Sequence, residues 1–143
     1  MKFIDMHCDT LLGTAYGERI DLNENNKAVD FKRLKSIGFS AQFYAMCLMP
    51  EKHFLDKGLT KPSDADFMDA LSTCFYENLK KYSDVAAFAG NKEDLLRNEK
   101  EGKISCFLTA EDGNGINGSL EGLEKMYKMG IRLISITWNE ENC

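Results

Sequence analysis

An α/β fold with parallel strands is predicted from three observations. Five short apolar segments alternate along the chain with four helix-patterned segments, and such alternation places a helical crossover between strands that run the same way. Glycines 38, 90, 102 and 130 fall at the joins between these segments, where helices and strands are expected to stop. With 143 residues, 43% apolar and 29% charged, the chain has the length and balance of one globular domain and not of a disordered tail.

The first predicted strand is Phe3 to Asp9. Its two-residue period puts Asp5, His7 and Asp9 on one face and Ile4, Met6 and Cys8 on the other. Asp30 can cap a helix that carries Phe31, Leu34 and Ile37. Phe39 to Met49 is an apolar run that suits a strand buried on both faces. His53 to Lys61 reads as a loop ending at Pro62. Ser63 and Asp66 then resemble a capping box, followed by Phe67, Leu71, Cys74, Phe75, Leu79 and Tyr82 at helical spacing. Val85 to Ala89 is a short strand. Asn91 can cap a helix carrying Leu95 and Leu96. Ile104 to Ala110 is the fourth strand. A turn with Gly113, Gly115 and Gly118 leads into a helix marked by Leu120, Leu123 and Tyr127, and Ile131 to Thr137 is the fifth strand.

Composition excludes several classes. The net charge of −5 and pI near 5.1 argue against nucleic acid and against anionic membrane surfaces, which need clustered Lys and Arg. No apolar run approaches the roughly 20 residues of a membrane-spanning helix. Lys2 and Asp5 would interrupt a signal peptide's apolar stretch, so a cytoplasmic chain is expected. The five cysteines, Cys8, Cys47, Cys74, Cys106 and Cys143, are odd in number and lack a C-x-x-C spacing; reduced, mostly buried thiols are expected.

Three features carry potential chemistry. His7 and Asp9 share a strand face and can grip one cation, since imidazole and carboxylate are both ligands of zinc and its neighbours; the plain alternative is a polar pair satisfied at the surface. Glu111 closes the strand Ile104 to Ala110, at the end where parallel α/β folds place their sites. It can hold metals or act as a base, or it can belong to an acidic turn with Asp112 and Gly113. Trp138, the single tryptophan, can line a substrate pocket or pack on the core. Gly113-x-Gly115-x-x-Gly118 also matches a dinucleotide fingerprint, but Glu111 and Asp112 would repel a pyrophosphate.

Taken together, these segments resemble a known family. Ile4-Asp5-Met6-His7-Cys8-Asp9-Thr10-Leu11 resembles the opening motif of the membrane (renal-type) dipeptidases, a branch of the metal-dependent amidohydrolases. Ser40-Ala41-Gln42-Phe43, Ala110-Glu111-Asp112-Gly113 and the segment Gly130 to Asn139 resemble later motifs in the same order. The resemblance implies the N-terminal part, strands one to five, of a (β/α)8 TIM barrel with a two-zinc centre. His7 and Asp9 would ligate one metal, and Glu111 would bridge both and serve catalysis. Trp138 would stand where some relatives place a substrate-binding histidine, and Asp112 where many have glycine. The implied activity of the full-length protein is hydrolysis of the amide bond of a small dipeptide. The chain alone is expected to be inactive, and to form a homo-oligomer or associate with a missing C-terminal half. Rival readings are another amidohydrolase-type metal hydrolase, a non-catalytic α/β protein, and a nucleotide-binding oxidoreductase using the glycine turn.

Overall fold

The structure is a computed structural model and describes residues 2–139; Cys143 lies outside the described residues. Five strands form one sheet: β1 (Phe3–Asp5), β2 (Phe39–Cys47), β3 (Ala86–Phe88), β4 (Ile104–Glu111) and β5 (Ile131–Ser135). Every pairing between them is parallel. β2 runs beside β4 from Ala41 opposite Ser105 to Cys47 opposite Glu111. The far edge of β4 is shared. β3 takes Ile104 to Cys106, and β5 takes Leu108 to Glu111.

The five expected strands are all present, but their lateral order departs from chain order. β3 spans three residues, too short to cover β4, so the upper half of that edge is left for β5. The continuous wall therefore runs β1, β2, β4, β5, and β3 is a side strand.

Sequence-readable caps set most of the helices. The side chains of Asp30, Ser63, Asn91 and Ser119 accept N–H bonds from Arg33, Asp66, Asp94 and Gly122, opening α1 (Phe31–Ser36), α3 (Asp64–Lys81), α4 (Lys92–Lys100) and α5 (Leu120–Met129). Gly130 ends α5 with φ of 103°, a conformation open to glycine. The expected loop from His53 contains a further helix, α2 (Glu51–Leu55), which brings the described α-helices to five and not four. Phe54 anchors it: its ring lies 5.1 Å from that of Tyr16 and 5.7 Å from that of Phe67. One buried aromatic in a polar segment gives no periodic signal. Two 3-10 helices, Thr10–Tyr16 and Gly113–Ile116, follow β1 and β4.

The core lies between the sheet and α3. Phe67, Leu71 and Phe75 of α3 are fully buried, each stabilising the fold by roughly 1.5–3 kcal/mol relative to exposure. Tyr44 meets Phe75 with ring centres 5.7 Å apart, so Gln42, Tyr44 and Met46 face the helices. The alternate residues Phe43, Cys47, Phe107 and Glu111 occupy the other face, where the Phe43 and Phe107 rings stack at 4.4 Å. The Leu120, Leu123 and Tyr127 stripe of α5 is exposed; Met126 is buried in the core and Met129 packs against it. Beside the stripe, a groove of about 520 Å³ runs to Ile131–Ile134, an open apolar surface of the kind expected for part of a barrel wall.

Candidate metal centre

A bulge just after β1, between Asp5 and Cys8, creates the site. Asp5 pairs with Gln42, yet Cys8 donates its N–H to the Phe43 carbonyl at 3.0 Å and accepts from the Ala45 N–H at 2.9 Å, which places Cys8 opposite Tyr44. Three steps along the first strand thus match two along β2, the count of a β-bulge. The extra residue corrects the expected alternation. Asp5 and Cys8 both lie on the Gln42–Tyr44 face, and Cys8 is buried, while Ile4 and Met6 are more than half exposed. His7 and Asp9, which flank Cys8, remain together on the face that carries Glu111.

Asp9 is also the residue before the first 3-10 helix. Its carbonyl accepts from the Leu12 N–H, and its side chain makes no capping bond, leaving the carboxylate for His7. Glu111 is the last residue of β4, opposite Cys47 on one side and Ser135 on the other. The chain then turns sharply at Asp112, which has φ of 81° and is buried. The Asp112 N–H donates to Ser135 Oγ at 3.2 Å and the Gly113 N–H to the Ile136 carbonyl at 3.1 Å, tying this turn to the end of β5.

His7 Nε2 lies 3.3 Å from Asp9 Oδ2 and 3.7 Å from Glu111 Oε2. One donor atom from each residue falls within 4.8 Å of the other two, and this is the one such His/Cys/Asp/Glu group among the described residues. Two atoms bound to one zinc ion at about 2.1 Å lie roughly 3.4 Å apart in tetrahedral geometry. The two histidine separations match that spacing, and the two carboxylates would supply the charge an ion needs. The donor set therefore fits a divalent metal of the zinc kind. All three side chains are reachable from solvent, with Glu111 the most covered.

Cys47 borders the cluster but does not join it. Burial, then the charges of Glu111, Asp9 and Asp112, push its thiol up to about 12. Cys8 and Cys106 are likewise buried free thiols, and Cys74 is half-buried. Trp138 is half-buried and packs against the core cluster. His53 is exposed on α2. The glycine turn forms a 3-10 helix, and the N-terminus of α5 is occupied by Ser119, so no bare helix end faces the loop as a phosphate site requires.

Known proteins carry the same arrangement of elements. The model of the membrane dipeptidase family (peptidase family M19) matches residues 1–143. The chain belongs to this family. Among solved structures, the family member resembles the probable dipeptidase PvdM from Pseudomonas aeruginosa, with a TM-score of 0.77 and 15% identity over 97% of this chain and 35% of that one. It also resembles a metallopeptidase from Rhodobacter sphaeroides liganded with a phosphinate mimic of the dipeptide L-Ala-D-Ala, with a TM-score of 0.69 and 16% identity over 97% of this chain and 46% of that one. An amidohydrolase from Pseudomonas aeruginosa matches 78% of this chain and 30% of its own, with a TM-score of 0.61 and 12% identity. At these identities the likeness establishes the fold. The chain spans less than half the length of each of these structures.

The structure brings together the three residues that the sequence nominated, His7, Asp9 and Glu111; sequence reasoning gave no role to Asp5 and Gln42. Gln42 Nε2 donates to Asp5 Oδ2 at 2.9 Å, and the His7 N–H donates to Asp5 Oδ1 at 3.2 Å. The signal available was an amide inside an otherwise apolar strand.

Proposed function

We propose that this chain supplies one ligand set of a metal-dependent dipeptidase that hydrolyses the amide bond of small dipeptides in the full-length protein. The observation that carries this reading is the convergence of His7, Asp9 and Glu111 at the carboxyl ends of parallel strands, where barrels of this class place their chemistry. Family membership and the dipeptide mimic bound to the Rhodobacter sphaeroides relative support a dipeptide substrate.

His7, Asp9 and Glu111 would hold the ion, which we take to be zinc. A second zinc would share Glu111 as a bridging carboxylate and draw its remaining ligands from outside this chain. Bound zinc supplies Lewis acidity, which polarises an amide carbonyl and makes water nucleophilic at neutral pH. Holding an ion through Nε2 requires His7 to be neutral with its proton on Nδ1. With both ions bound, the Glu111 carboxylate would offset part of the repulsion between them. With three donors, the chain by itself would hold metal weakly and turn over no dipeptide, and its open apolar groove would favour self-association.

The test uses the full-length protein. His7→Ala and Glu111→Gln should each lower bound zinc and abolish hydrolysis of L-Ala-D-Ala. Wild-type zinc content and turnover in His7→Ala would defeat the reading.

A further inference from the structure

We propose that Asp5 and Gln42 are a positioning pair that locks the bulge after β1 and so aims His7 at the ion. This rests on the metal reading above and extends it to residues that touch neither metal nor substrate.

The bulge leaves the His7 N–H without a place in the β1–β2 ladder, because the ladder bonds jump from Asp5 to Cys8. That N–H is taken by Asp5 Oδ1 at 3.2 Å. The His7 side chain is about half exposed at 47%, so packing does not fix its direction. The backbone anchor does. Asp5 is in turn held by Gln42 Nε2 at 2.9 Å from Oδ2. Gln42 is fully buried, and its Oε1 has no hydrogen-bond partner among the described residues. A buried carbonyl left unpaired gives up its hydration with no bond in return. An apolar side chain of the same size would avoid that cost. What the amide provides in return is the Nε2 contact with Asp5, together with a 3.2 Å bond to the Phe43 carbonyl. Both partners sit on the helix-facing side of the sheet, so the pair acts through the strand on a donor that points the other way.

A charge role for Asp5 is the competing account, and an isosteric change separates the two. In Asp5→Asn, Oδ1 still accepts the His7 N–H, and Nδ2 can donate to Gln42 Oε1 once the Gln42 amide flips, which keeps the link between the two side chains while giving up the bond from Nε2 to the Phe43 carbonyl. Positioning survives and the charge is lost.

The experiment measures Zn2+ affinity of the full-length protein by chelator competition, the visible absorption of its Co2+ form, and the thermal midpoint. Asp5→Ala and Gln42→Met should each lose about 10–100-fold in affinity and alter the Co2+ spectrum, the range found when groups that orient a metal ligand are removed. Asp5→Asn should stay within about threefold of wild type, below that range. Met6→Ala, an exposed bulge residue, serves as the control and should match wild type. Asp5→Asn losing as much affinity as Asp5→Ala would overturn the proposal in favour of charge. Wild-type affinity and spectrum in both Asp5→Ala and Gln42→Met would overturn it outright while leaving the metal reading intact. If Asp5→Ala does not fold, Gln42→Met and Asp5→Asn decide. Failure of the wild type to bind Zn2+ or Co2+, or full binding by His7→Ala, would remove the metal reading and this proposal together.

Discussion

Asp112 follows the candidate ligand Glu111 with φ of 81° and ψ of 142°. A residue with a Cβ in such sparsely populated backbone costs about 1–3 kcal/mol. The side chain offsets part of this. Its carboxylate accepts from the Asn114 N–H at 3.3 Å and from Asn114 Nδ2 at 2.9 Å, each bond stabilising by about 0.5–1.5 kcal/mol net. Asp112→Ala keeps the backbone cost and loses both bonds, so it should destabilise the protein by about 1–3 kcal/mol. Asp112→Gly loses the same bonds but removes the backbone cost, against about 0.4–1 kcal/mol for the added freedom of its unfolded chain. The glycine variant should therefore be the more stable of the two by about 0.5–2 kcal/mol. At an ordinary strand or helix position the order is reversed, with alanine ahead by about 0.5–1 kcal/mol. Urea unfolding of the wild type and both variants, read as midpoint shifts at a common slope, measures the difference. An alanine variant equal to or more stable than the glycine variant would refute the backbone argument.

Three further outcomes are expected. Gly122→Ala places a Cβ 1.9 Å from the Ile116 carbonyl oxygen and 2.7 Å from its carbon. Backbone must move, so a loss of about 1–3 kcal/mol or more is expected in the same unfolding assay. Burial of Asp21 works against its charged form, but bonds from Tyr82 and Lys81 and from the Asn23 N–H hold its carboxyl down to about 2, against 3.8 unfolded. The stability it contributes is present above about pH 4 and fades as pH falls through about 2. The deficit of Asp21→Asn relative to wild type, read by denaturant unfolding, should therefore shrink over that window. Finally, burial raises the thiol of Cys8 to about 11 and that of Cys47 to about 12. Both should react slowly with a thiol reagent at pH 8 until the protein is unfolded, and prompt labelling of native Cys47 would contradict its buried setting.

The sequence carried the local half of this site. A two-residue period is enough to put His7 beside Asp9, and a carboxylate ending an apolar run is enough to nominate Glu111. Caps were legible for the same reason: Asp30, Ser63 and Asn91 act on N–H groups three residues away. The bulge was not legible, because it exists only in the register between β1 and β2. That register moved Asp5 off the face of His7, and it gave Gln42 a partner 37 residues distant. The edge shared by β3 and β5 was hidden likewise, since chain order does not state which strand lies beside which. In Asp112-Gly113 the turn was readable, but the positive φ falls on the aspartate.

The strand that contributes no donor decides whether the donors meet. β2 hydrogen-bonds the segment around Cys8 along one edge and β4 along the other, with Cys47 opposite Glu111. A slip of two residues in either pairing preserves every side chain's face, and so costs little in pattern, yet it displaces one donor set by about 6.6 Å along the strand. That is nearly twice the 3.7 Å that separates His7 from Glu111, enough to abolish a shared ion. Register must then be fixed by contacts specific to one alignment. The stacked Phe43 and Phe107 rings, directly opposite on the donor face, supply one. Thr109 Oγ1, bonded to the Tyr44 carbonyl at 3.2 Å, supplies another. The candidate metal centre is in this sense a property of the β2–β4 ladder, and His7, Asp9 and Glu111 inherit their spacing from residues outside the cluster.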